Sequence, residues 1–162
     1  MNSLSATYRI SDEPTPGVAA QFAASPTFPL LAVMLGGAWL AWPWYVLNAW
    51  AMGSATRVRE TVIVLATTAC TAALAFIILG LEDDKVLTGV GVQLAILLLT
   101  AVKLAAAYWL HTLQSVGHQL FLYVRGGEDT KNGNAWGVLL LGMFLRGYVL
   151  KKLPELLILV LS

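Results

Sequence analysis

"LLLTAVKLAAAYWLHTLQSVGHQLFLYVRGG", residues 97–127, opens as an apolar helix and closes as an amphipathic one. A lysine interrupts the apolar part, and two histidines follow, seven residues apart. At 1.5 Å per residue, one helix from Thr88 to Val124 is about 55 Å long. A bilayer core takes only about 30 Å of that. Counted from the acidic turn at residues 82–84, the core ends around Ala106 to Leu110. Lys103 then falls near the interface, where a long stem lets the ammonium reach the headgroups. Tyr108 and Trp109 stand where an interfacial aromatic girdle belongs. His111 and His118 lie beyond the core, on an amphipathic extension over 111–124, and Gly126-Gly127 is a helix-ending signal.

The angles make a second point. At about 100° per residue, Gln93, Thr100, Lys103, His111, Gln114, His118 and Arg125 fall on one stripe roughly 80° wide. One reading is a helix face with a snorkelling lysine and solvated histidines. The sharper reading is a proton path along Gln93, Thr100, Lys103 and His111. The histidines cannot share one metal ion on one helix. They are roughly 10 Å apart along the axis, and zinc holds nitrogen at about 2.0–2.1 Å. A haem bridged across a dimer is the remaining metal alternative.

Working outward, the composition sets the class. Hydrophobic residues are 58% of the 162 and charged residues 12%. Mean hydropathy is +0.73. A soluble domain carries about a quarter charged residues, so too little polar surface is present to wrap one. The net charge of +1 gives no electrostatic case for nucleic acid. The expected fold class is therefore all-α, an integral membrane helical bundle in a lipid bilayer. Spans are expected at 29–52, 61–81 and 87–110, with a fourth, interrupted one at 136–161. Residues 1–28 lack the basic start and apolar core of a signal peptide and read as a mobile tail. Residues 29–162 form one transmembrane domain. Cys70, the single cysteine, reads as a small buried hydrophobe.

Three readings fit segment 136–161, because Arg146, Lys151, Lys152, Pro154 and Glu155 interrupt it. It is a tilted span, a short span to Leu150 with an interfacial tail, or a re-entrant helix. Lys and Arg bias the connectors 53–60 and 125–135 toward the cytoplasm, with Asp83 outward. Asn134 is a candidate N-cap for the last segment.

The first segment, "LLAVMLGGAWLAWPWYVLNAWAMGS", is rich in small and aromatic residues. Gly37, Ala41, Trp44 and Asn48 share one helical face, which should pack into the bundle. Trp39, Trp42 and Trp50 lie opposite and should meet lipid, and Pro43 should kink the helix. A second possibility is a pocket for an aromatic ligand or a lipid near Trp44, Tyr45 and Asn48. The Gly36-Gly37 pair, Asn48 and Gly53, with "LQSVGHQLFLYVRGG" later, resemble a pattern in uncharacterised small multi-span bacterial membrane proteins. The resemblance covers about a third of the chain and departs at Ala38, where that pattern has proline. It implies a multi-span protein of a bacterial inner membrane and supplies no activity.

No P-loop, dinucleotide loop, serine-nucleophile motif or Cys/His cluster occurs, so no cofactor, metal ligand or catalytic residue is assigned. The leading expectation is a non-enzymatic accessory or partner-binding membrane component, which could serve protection, with a membrane partner or a homo-oligomer. The alternative is an oligomeric channel or transporter using the polar stripe. An enzyme using His111 or His118 ranks last.

Overall fold

Gly36 and Gly37 turn the chain back on itself. In the computed structural model, which describes residues 18–87, 89–124 and 133–162, the first apolar segment is two helices, α1 (Thr27–Leu35) and α2 (Ala38–Met52). The amide of Ala24 donates to Asn48 Oδ1 at 2.8 Å, and Phe28 stacks on Trp44. Both pairs are centred on residue 36, so α1 and α2 run antiparallel as a hairpin. Gly37 makes the turn at φ +99°, a region open to glycine and strained for other residues. The expected single span over 29–52 is thus corrected. An apolar run of that length fits one crossing or a hairpin equally well, and the glycine pair decides.

The next helices are long. Gly53, at φ +66°, caps α2 in the left-handed conformation and bonds back to Ala49 and Trp50. α3 (Arg57–Asp83) follows, with Glu60 in its first turn, where an acid favours the helix dipole. α4 (Val90–Val124) has 35 residues, so it is about 52 Å long. It continues through 111–124 without a break. Glu60 meets Gln114 and Ala75 meets Leu99, so α3 and α4 are antiparallel. α3 and α4 are long and apolar enough to cross a membrane. Only 22% and 17% of their most apolar windows are buried, unlike the core helices of a soluble protein.

The last segment is also broken. α5 (Gly133–Leu150) runs alongside α1 in the same direction, since Trp136 meets Phe28 edge-on and Arg146 reaches Leu35. α5 ends before Lys151, and Pro154 leads into α6 (Glu155–Leu161). α6 packs on α3, and its Val160 clusters with Ala75 of α3 and Leu99 of α4. Its end meets the hairpin turn: a Cβ on Gly37 would stand 2.8 Å from the Leu161 carbonyl oxygen. Of the described residues, all six α-helices pack around one core of Tyr45, Trp42, Ala107, Leu110 and Leu139 with satellite clusters. Two helices of spanning length replace the three confident spans and fourth segment expected.

Other expectations change too. Residues 1–17 lie outside the described residues. Residues 18–22 form a short 3-10 helix, and Ala20, Ala23, Ala24 and Phe28 are buried, so this stretch is not tail. Trp42 is 4% exposed and faces the core, since α1 wraps the face that a lone span would give to lipid. Cys70 is exposed on α3, where outward-facing apolar residues are the rule. Helix α5 begins at Gly133, which puts Asn134 inside its first turn and not at the cap. Arg125, Gly126 and Gly127 lie outside the described residues, as does Thr88 and the connector from 125 to 132.

Candidate functional site

Two uncharged amides and one carboxylate meet where α2, α3 and α4 cross. Asn48, Gln114 and Glu60 are 1%, 0% and 1% exposed. Asn48 Oδ1 accepts from the Ala24 amide at 2.8 Å, and its Nδ2 donates to Gln114 Oε1 at 3.1 Å. Gln114 Nε2 donates to the Tyr45 carbonyl at 2.8 Å and to Glu60 Oε2 at 2.7 Å. Glu60 Oε1 accepts from Ser54 Oγ at 3.1 Å and Thr56 Oγ1 at 2.6 Å. Tyr45 adds a bond from its hydroxyl to the Ala107 carbonyl at 2.9 Å. Three side-chain donors thus engage both oxygens of the buried carboxylate. The network ties the hairpin to both long helices, and leaving one buried member unpaired costs about 1–3 kcal/mol.

Lys103 packs inside the helical bundle. It is 4% exposed, and its Nζ donates to the Leu159 carbonyl at 3.0 Å. Leu159 lies in the last turn of α6, where carbonyls have no partner inside the helix. Arg146 plays the same part for α1, donating to the carbonyl of Leu35 at 3.2 Å. Two of the cations that interrupt the apolar segments thus cap the C-terminal ends of broken helices, a placement the helix dipole favours.

The expected stripe on α4 divides. Its edge at Lys103 and Gln114 is the packing seam, shared with Leu99, Ala107, Leu110 and Phe121. Its other edge is half-buried at His111 and His118 and exposed at Gln93 and Thr100. Thr100 returns its hydroxyl to the Ile96 carbonyl of its own helix. The His111 ring lies tilted beside Tyr108, and the His118 ring stacks with Phe121; Nδ1 of His111 is buried without a hydrogen-bond partner. Among the described residues no group of three His, Cys, Asp or Glu could hold a metal ion. Of the expected packing face, Ala41 and Asn48 are core residues, while Gly37 is the turn itself. Sequence reasoning left Glu60 in a connector. Its signal was the spacing Ser54, Thr56, Glu60, two hydroxyls placed to reach an acid one helical turn on.

A groove of about 410 Å³ lies beside this network. The 3-10 helix, α2 and α5 form its walls. Leu40 and Val138 line the end where α5 and α2 touch, for a Cβ on Gly142 would run into Leu40. Trp44, Pro43 and Leu47 line the middle, and Gln21, Asn48 and Asn134 the far end. The pocket expected near Trp44, Tyr45 and Asn48 therefore involves Trp44 and Asn48, while Tyr45 turns inward toward α4. Its volume falls within the range of about 300–1,000 Å³ usual for small-molecule sites. Comparisons with protein-family models, curated proteins and solved structures give no match.

Proposed function

We propose that this chain is a small multi-pass membrane protein that works by binding within the bilayer, as an accessory or partner-binding component, and not by catalysis. Helices α3 and α4 cross the membrane, and α1–α2 enters it as a re-entrant hairpin. Non-crossing backbone is tolerated in hydrocarbon only where protein satisfies it, and the caps from Lys103 and Arg146 support that reading. The residues before α1 and the connector 53–60 then share one side. Arg57 and Arg59 favour the cytoplasm for it, and Glu82, Asp83 and Asp84 mark the outer side. A bacterial inner membrane suits this arrangement.

The observation that carries the binding role is the groove. The side chains of Asn48, Gln114 and Glu60 are engaged with each other, whereas the groove is open, mostly apolar and edged by three amides. A photo-crosslinking amino acid at Leu47, on the groove rim, tests the role in native membranes. A discrete adduct is expected there. The control position is Phe76, which is exposed on α3. Equal, diffuse labelling at both positions would contradict a binding groove.

A further inference from the structure

Building on that reading of the groove, we infer that its occupant is the acyl chain of a lipid whose head is uncharged and carries a carbonyl next to its chain. The lining is ordered along its length. The antiparallel hairpin puts Leu40 near the turn and Asn48 three helical turns away, level with Ala24. α5 runs beside it, with Asn134 at the Asn48 end and Val138 toward Leu40. An apolar tail thus meets apolar walls, and a polar head meets amides.

The amides also select the head. No charged side chain lines the groove among the described residues. Phosphate and carboxylate are held by Arg or Lys in charge-assisted bonds; here a charged head would be desolvated beside neutral groups, which is costly. Carboxamides instead suit esters, amides and hydroxyls. Gln21 and Asn134, exposed at that end of the groove, supply amide N–H donors for a ligand carbonyl. Asn48 backs them, its own amide held by Ala24 and Gln114.

The experiment uses the purified full chain in mild detergent and native mass spectrometry, with mono-oleoylglycerol as the probe. The expected result is a one-to-one adduct, with oleate retained about tenfold less well, equivalent to about 1.4 kcal/mol. Leu47→Trp and Val138→Trp place bulk in the groove from side chains already exposed, so melting should hold while the adduct is lost. Asn134→Leu, at the amide end, should weaken it severalfold. Wild-type retention by both tryptophan variants overturns the inference, as does oleate binding as well as the ester. A crosslink from Leu47 to a protein, with no lipid adduct, overturns the lipid assignment and leaves the binding role standing. Loss of any discrete crosslink removes both.

Discussion

The ammonium of Lys103 on α4 lies 3.0 Å from the carbonyl oxygen of Leu159 on α6, joining residues 56 positions apart. This bond explains why a charge can stand in the middle of an apolar helix. The last carbonyls of α6 have no partner inside their own helix, and Lys103 supplies a donor to one of them.

Substitution of Lys103 therefore tests a cap. Lys103→Met keeps the stem and removes the donor, so it should lower stability by about 1–3 kcal/mol, the cost of an unpaired buried acceptor. Lys103→Arg should also destabilise, because the site is closed and the larger guanidinium must displace its neighbours. An interfacial anchor would tolerate arginine. Thermal unfolding in detergent, read by circular dichroism, separates the two, and a neutral Lys103→Arg would contradict the cap.

The Asn48–Gln114 pair should be energetically coupled. Asn48→Leu and Gln114→Leu should each destabilise, and the double variant should cost less than their sum by about 0.5–2 kcal/mol. Additive effects would mean that the 3.1 Å bond between them contributes nothing to the fold.

Glu60→Gln probes the acid itself. The change puts an NH₂ where one carboxylate oxygen accepts from Gln114, or from Ser54 and Thr56. With its oxygen kept toward Gln114, the two hydroxyls must turn from donors into acceptors for the NH₂ and the charge-assisted bonds become neutral, so a loss of about 1–3 kcal/mol is expected. Glu60→Asp, which keeps the charge but shortens the reach, should fall between. If Glu60→Gln melts like the parent chain, the carboxylate is not the acceptor described.

Helix positions were legible in the sequence because apolar runs and Gly or Pro breaks are local signals. Residues 61–81 lie inside α3 and 90–110 of the expected 87–110 inside α4, and the continuation of α4 over 111–124 follows from its amphipathic period. Direction was not legible in the first segment. A run of that length fits one crossing or a hairpin equally well, and tertiary contacts such as Ala24 to Asn48 reveal the return. Asn48 and Gln114 stood out because buried amides need partners. Their third partner, Glu60, was hidden by its place near a turn, where acids are usually solvated. Lys103 was misread for a related reason: depth was counted along one helix, and the carbonyl it serves belongs to a helix that starts 52 residues later.

Gly37 should tolerate no side chain. Gly37→Ala meets both a φ of +99° and a carbonyl oxygen 2.8 Å from the new carbon. A residue held in such a region costs on the order of 1–3 kcal/mol before any clash. Gly147, within α5 and with open space around it, is the control, since Gly147→Ala should be neutral or stabilise by up to about 1 kcal/mol. Equal melting of the two variants would mean the turn is not where the backbone places it.

The side of the membrane reached by Phe22 and Ala55 tests the central claim, a re-entrant α1–α2 hairpin, most directly. Single cysteines at 22, 55 and 83 go into a Cys70→Ala background, needed because Cys70 is exposed. Each is labelled with an impermeant maleimide in intact cells and in inverted vesicles. The hairpin predicts that positions 22 and 55 label from the same side and position 83 from the other. Labelling of 22 and 55 from opposite sides would contradict it, because α1 and α2 would then form one straight crossing; labelling of all three from one side would deny that α3 crosses at all.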